Sequence, residues 1–529
     1  PYRVIVGHVM GGGQSSEVWG GVQNDDLLHL AGDQPVSFDD PIWSRICSCD
    51  IYVPKRGARE AAEKAAEHWA SELSRNSSTG NYRQLLRHMI QMLARCTSGD
   101  HSKVAEHDVV GAINLVLLVR TAAKHHVQDL PPDQLGELCG VRETAWKNQR
   151  SESPSLLEAV CDAVAFLLMS DSSQQQHTFF SYLLHAECAS LLLVLFASEL
   201  TQPLQQGYSP FLEYMMCKHV HTRAMMAALL RQFIEREPHP PPPSTSIGLL
   251  GALSNRWHLP PWRLQTEVLP GAPLSLADRC SLLLLVFINH SSPKGHNPYK
   301  AELAGMHDSD RPLADEAGPS QQETPMVGDD GHTLVASYNA IHEALAISLV
   351  DDRAVLLLYM ILYTNHGFLN YCLAKSEPEC ILVPLLKLLY ESQARQPNNK
   401  YMLLIVLLIL SQDAMYCSNI HSLDCNLDSV PWFSDRILSN ITVGSLAVTL
   451  LIRTFHSNLR LQDSFIASNC LAVLANMAPH FKQLHPFAAN KLVRLFELLS
   501  KRADSLAAKC NRESATRKII NAAITHSLP

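Results

Sequence analysis

Lys400-Tyr401-Met402-Leu403-Leu404-Ile405-Val406-Leu407-Leu408-Ile409-Leu410-Ser411-Gln412-Asp413 is the stretch on which the fold turns. Its ten apolar residues, Tyr401 to Leu410, lie between a lysine and a polar Ser-Gln-Asp end. A membrane span needs about 20 such residues, so the run is read as a core helix rather than a transmembrane segment. A helix apolar on every side must be covered on more than one side, as an inner helix of a stack is. Three further segments share this shape: Leu282–Asn289, Leu356–Asn365 and Leu471–Asn476. Each is leucine-rich and ends in a small polar residue followed by a breaker or charge. With Met402–Gln412 included, the successive ends are 76, 47 and 64 residues apart. Such spacing suits pairs or triplets of helices in a HEAT/armadillo-like solenoid with irregular repeats. A large irregular helical bundle is the alternative.

The composition agrees with an all-α fold. Among 529 residues there are 78 leucines and only 24 glycines, with aromatics at 7%. That mixture favours helices packed by aliphatic side chains over a sheet rich in turns and rings. Alternating apolar and polar runs, the mark of half-buried strands, are nearly absent. A formal net charge of −8 argues against broad nucleic-acid binding, which needs a basic face. The 14 cysteines stand singly with no CxxC pair, in a chain too long for a disulfide scaffold, and are read as mostly buried and reduced.

Local patterns mark individual helices. In Asn81 to Cys96 the residues Leu86, Met89, Ile90 and Leu93 share one face. Ser155-Leu156-Leu157-Glu158 has capping-box spacing and opens a helix with the stripe Leu157, Val160, Cys161, Val164 and Leu168. Toward the end, Ala488, Leu492, Leu495, Phe496 and Leu499 are expected to face inward, with Lys491, Arg494 and Glu497 in water. Two stretches interrupt this pattern. One contains Pro238-His239-Pro240-Pro241-Pro242-Pro243, a run that favours the extended left-handed helix. The other, Ser291 to Thr333, is rich in Pro, Gly, Asp, Ser and Gln. The resulting organisation is a flexible N-terminal segment (1–37), an N-terminal helical region (38–236), a proline-rich loop (237–275), a core helix (276–290), a disordered insertion (291–335), a helical repeat region (336–511) and an atypical tail (512–529).

A search for chemistry finds no phosphate loop, nucleophile elbow, HExxH or dinucleotide fingerprint. The strongest metal candidate is Cys217-Lys218-His219-Val220-His221. On a helix its two histidines would point about 200° apart, so no shared ion is expected. No catalytic residue, cofactor, metal or small-molecule substrate is expected. Near the front, Met10-Gly11-Gly12-Gly13-Gln14-Ser15 fits the N-myristoylation pattern, which operates on Gly11 if Met10 initiates translation. Pro1 to Val9, without a methionine, reads as upstream sequence.

From Phe38 to about Lys501 the chain resembles the dymeclin family. The blocks that carry the resemblance include Asp39-Asp40-Pro41-Ile42-Trp43, Asn297-Pro298-Tyr299, Ala354 to Tyr359, Tyr401 to Ser411, Trp432-Phe433-Ser434-Asp435-Arg436 and Asn469 to Met477. The resemblance implies a non-enzymatic peripheral Golgi protein that acts in Golgi organisation and vesicle traffic, with links to skeletal development in vertebrates. It implies a myristoylated glycine, here Gly11, and residence in the cytoplasm and on the Golgi membrane among unidentified Golgi-associated protein partners. Pro1 to Val9 has no counterpart in the family, and Arg512 to Pro529 departs from its pattern, which is read as a shortened or alternative C-terminus. The competing expectation is a soluble helical-repeat adaptor or transport receptor without membrane attachment.

Overall fold

The computed structural model describes residues 17–19, 22–48, 59–97, 106–139, 155–170, 178–197, 209–240, 274–290, 295–309, 327–329, 333–392, 398–425, 430–434 and 441–526. The fold is all-α: the described strands are two or three residues long, and helices make up nearly everything else. Gly11 and most of the proline-rich loop lie outside the described residues. The chain divides into two units, Pro1–Ala344 and Leu345–Pro529.

In the first unit, α1 (Asn24–Ala31), α2 (Pro41–Ser48), α3 (Arg59–Arg75) and α4 (Asn81–Thr97) precede the long α5 (Glu106–Asp129). After the short α6 (Pro132–Leu138) come α7 (Leu156–Met169) and α8 (Phe179–Phe196). Helix α5 is the hub, packing on α2, α3, α4 and α8. Its sequence permits this because Gly111 brings it close to α2 and α4. A Cβ there would meet Met92 Cε at 3.0 Å and Cys47 Cβ at 3.1 Å. Polar groups fasten the interior. Arg120 Nε on α5 pairs with Glu187 Oε2 on α8 at 2.8 Å, with the Glu187 side chain 1% exposed. Asn81 donates to the carbonyls of Leu30 at 3.0 Å and Gln34 at 2.9 Å, while its own oxygen accepts from Val36 N–H at 2.8 Å. The α7 capping box forms as expected, with Ser155 Oγ accepting from Glu158 N–H and Glu158 accepting from Ser155 N–H at 2.8 Å. All five residues of its expected stripe are buried.

Helix α8 corrects the reading of apolar runs. It is long and apolar enough to cross a membrane, by length and composition, and 67% of it is buried inside the unit. Glu187 and His185 break its apolar run, so a search for uninterrupted stretches passes over it. The unit continues with α9 (Pro210–Cys217), α10 (Thr222–Glu235), α11 (Leu276–Asn289) and α12 (Pro298–Ala304). The expected disordered insertion is thus partly structured. Asn297 caps α12, Pro298 starts it, and Tyr299 and Leu303 are fully buried. Beyond it, β1 (His307–Asp308), β2 (Val327–Asp329) and β3 (Leu334–Ala336) form a small sheet in the order β1-β3-β2.

Helix α13 (Tyr338–Ser348) carries the chain into the second unit. There α14 (Asp352–Thr364), α15 (His366–Ala374) and α16 (Glu379–Glu391) are followed by α17 (Asn398–Ser411), α18 (Ala414–Ser422) and α19 (Val443–Asn458). Last come α20 (Ser464–Met477), a 3-10 turn at Ala478–His480, and α21 (Pro486–His526). Corresponding elements pack on one another: α14 on α17 and α17 on α20; α15 on α18 and α18 on the 3-10 turn; α16 on α19 and α19 on α21. In the first row α17 and α20 run parallel. Tyr401 near the start of α17 donates to Asp463, which caps α20, and Asn476 Nδ2 near the end of α20 donates to Ser411 Oγ at 3.1 Å. In the third row α19 and α21 start side by side, because His485 N–H just before α21 donates to Ser445 Oγ in α19 at 3.1 Å. Side-chain caps start these helices: Asp351, Asn365, Asp413, Thr442 and Asp463 each accept from backbone N–H groups of the following turn.

The four leucine-rich segments fall in α11, α14, α17 and α20, but they are not all inner helices. Only five of the fourteen residues of α20 are buried, whereas α19 buries thirteen of sixteen. Alanine and leucine are tolerated on a half-covered face, so apolarity all round did not require cover all round. In α4 the buried face is wider than expected, with Leu85 and Met92 joining it while Ile90 is only half-buried. In α21 Ala488 and Leu495 are buried, but Phe496 is 72% exposed, since it sits about 80° around the helix from Ala488. Nine of the twelve described cysteines are buried. Burial pushes their thiols up, to about 11 in Cys96 and about 12 in Cys139, which keeps them protonated and poorly nucleophilic.

Candidate interaction face

Helix α19 is enclosed except along one stripe. Arg453 and Ser457 are half-buried and His456 is exposed, with exposed Arg460 just beyond the helix. Their spacing of three, one and three residues puts all four on one side. Beside this stripe, Lys387 and Tyr390 are half-buried on α16, and Lys491 and Phe487 are half-buried on α21 next to exposed Arg494. The third row of helices therefore carries its cations on a common side.

Aromatic rings hold two of these cations in place. The Arg453 guanidinium carbon lies 4.0 Å from the centre of the Tyr390 ring. Trp432 and Phe433, from the 430–434 segment, approach the same ring at 5.6 and 5.5 Å. The Tyr390 hydroxyl lies 3.0 Å from Ser434 Oγ, which ties that segment to α16. On α21, Lys491 Nζ sits 4.9 Å from the centre of the Phe487 ring. Ring quadrupoles attract cations placed over their faces and restrict side chains that would otherwise be mobile. His456 is lowered from its ordinary pKa, first by burial and then by the positive charge of Lys491, so it is mainly a neutral donor and acceptor. Among the described residues at these positions, Glu391 and Glu497 are acidic.

The metal candidate of the sequence has a different geometry from the one expected. Cys217 ends α9 and His221 precedes α10, so the two histidines flank a loop and not a helix. Their rings are 5.9 Å apart; His219 is buried, and neither of its ring nitrogens has a hydrogen-bond partner. Among the described residues no group of three or more His, Cys, Asp or Glu side chains could hold a metal ion. This candidate face has only weak signals in the sequence: the Arg453-His456-Arg460 spacing and the Trp432-Phe433-Ser434 block are separate, and the helix Val443–Asn458 that joins them has no amphipathic pattern.

Comparison with known proteins places the whole chain. The family model "Dymeclin: Dyggve-Melchior-Clausen syndrome protein" matches residues 10–527. The chain is similar to dymeclin of Mus musculus, 28% identical over 519 residues, which covers 93% of this chain and 74% of the relative. It is similar to dymeclin of Drosophila pseudoobscura pseudoobscura, 26% identical over 558 residues, covering 95% and 76%. With dymeclin of Dictyostelium discoideum it is 26% identical over 439 residues, covering 77% of this chain and 45% of that one. No solved structure matches it.

Proposed function

Because this chain belongs to the dymeclin family, we propose that it is a non-catalytic peripheral membrane protein that supports Golgi organisation and vesicle traffic through protein–protein contacts. The match of the family model from residue 10 to residue 527 carries this reading. The architecture of the second unit supports it. Three successive helical groups whose equivalent members stack in rows are what a HEAT/armadillo-like solenoid consists of, and such arrays present long surfaces to partners. Partner binding along a stacked-helix surface needs no reaction centre. The high thiol pKa values and the ring-held cations are consistent with packing and recognition.

Attachment runs through myristoylation of Gly11 after initiation at Met10, the pattern in Met10 to Ser15. One myristoyl chain anchors only marginally, so a second interaction is required. Residues 11–50 contain one basic residue, Arg45, against Glu17, Asp25, Asp26, Asp33, Asp39, Asp40 and Asp50. An anionic leaflet repels such a segment, so the second interaction is with a Golgi-resident protein held by the helical body. The experiment is imaging of the protein expressed from Met10, with and without Gly11→Ala, in cells lacking their own family member. Expected are a mixed cytosolic and Golgi distribution, recovery of compact Golgi stacks, and loss of Golgi residence in the variant. A diffuse protein that leaves the Golgi unrepaired would instead make the chain a soluble adaptor.

A further inference from the structure

We propose that the face formed by α16, α19 and α21 binds an extended acidic peptide segment of a partner protein. The proposal deepens the scaffold reading above and rests on it. Arg453 of α19 lies over Tyr390 of α16, and Lys491 of α21 is close enough to act on His456 of α19; Lys387, Arg460 and Arg494 follow one turn away on the same helix sides, with Glu391 and Glu497 acidic among the described residues there. A cationic strip is complementary to the carboxylates of a partner segment.

The rings set the kind of acidic ligand. Arg453 lies against Tyr390 and Lys491 against Phe487, so both cations are ordered before anything binds, and less side-chain entropy is lost on docking. Tyr390, Trp432 and Phe433 are half-buried between α16 and α19, where they can cover one apolar side chain of a ligand. Rings that insert into a bilayer must protrude, and these do not. Packed helices lie about 8–10 Å apart, so the three span roughly 20 Å, the length of about six extended residues. A short strand-like segment with alternating carboxylates and one apolar residue fits that span. His456, in the middle of the strip, offers a neutral hydrogen bond to its backbone.

The test uses the full chain, a fluorescein-labelled peptide of alternating Glu and Ser around one central Leu, and the same peptide with Gln for Glu. Saturable binding of the acidic peptide, measured by anisotropy, weakening as salt rises and absent for the Gln peptide, is the expected result. Lys491→Glu with Arg494→Glu, both on the outer side of α21, should weaken it by about tenfold or more while the circular dichroism stays that of the parent. The control pair Arg87→Glu with Lys124→Glu changes net charge equally in the first unit and should leave binding intact. Equal affinity in the two variant pairs would overturn the proposal. So would vesicles of phosphatidylserine and phosphatidylcholine that bind through Lys491 and Arg494 while the peptide does not bind, because the face would then be a lipid surface. Golgi residence is read separately, by imaging and Gly11→Ala. Failed peptide binding with intact residence removes only this inference, whereas lost residence with intact peptide binding removes only the Golgi reading.

Discussion

The two units differ in where polar groups join their helices. In the first, polar side chains tie together segments far apart in sequence: Arg120 to Glu187 inside the α5–α8 contact, Asn114 Nδ2 to Ile46 O at 3.0 Å, and Trp69 Nε1 to Leu27 O at 3.0 Å. In the second, interior hydroxyls mostly return to their own helix, as Thr449 does to Ser445 O at 2.9 Å and Ser392 to Leu389 O at 2.7 Å. Bonds between its helices gather at helix ends, at Asp463, Asn476 and His485. A hub helix meets a different partner on each side and needs specific polar matches to fix it. Stacked rows repeat one kind of apolar contact and need only their ends aligned.

The largest effect should come from the buried ion pair. Glu187→Ala leaves Arg120 without that partner inside the first unit and should cost about 3–5 kcal/mol. Changing both members, Arg120→Met with Glu187→Leu, should return most of it. Denaturant unfolding with hydrogen exchange resolves the units, and a loss in the second unit instead would break the comparison.

Acid should weaken both units for the same reason. Burial holds His126 in the first unit and His421 in the second down to about 4. Both are neutral in the folded chain above that pH, while unfolded histidine takes up its proton below about 6.5. The unfolded state therefore binds more protons in this window, and stability falls as pH drops from about 6.5 to about 4. Each group contributes a slope of at most about 1.4 kcal/mol per pH unit. His421→Gln should flatten the slope of the second unit alone.

A smaller effect tests the tightest point of the rows. A Cβ on Gly444 in α19 would lie 2.4 Å from Nδ1 of His421, which is 1% exposed with no hydrogen-bond partner on either ring nitrogen. Gly444→Ala should cost about 1–3 kcal/mol, although the same change in an open helix stabilises. Adding His421→Ala should recover part of the loss, and strict additivity in that cycle would show that the two positions do not clash. The smallest effect is expected at a cap: Ser155→Ala removes half of the capping box and should cost about 1 kcal/mol, seen as a shift in the unfolding midpoint of the first unit.

Much of the fold was legible in the residues, and the interaction face was not. The α7 cap and stripe could be read because each contact joins residues three or four apart, within reach of a single helical turn. The helix Val443–Asn458 has no such local signal because it is enclosed on nearly every side, which erases the apolar–polar periodicity that marks a half-buried helix. Its only polar stripe, from Arg453 to Arg460, looks unremarkable until Tyr390 and Lys491 are placed beside it.

The sequence by itself determined the helical class, the capped start of α7 and the dymeclin family, since propensity, capping and ordered motifs are properties of neighbouring residues. Tertiary structure alone decided that α5 and α19 are central, that Glu187 needs Arg120, and that cations from three helices share one face. Those outcomes depend on contacts between residues tens of positions apart. Such contacts are chosen by shape and burial across the whole unit, and no local pattern specifies them.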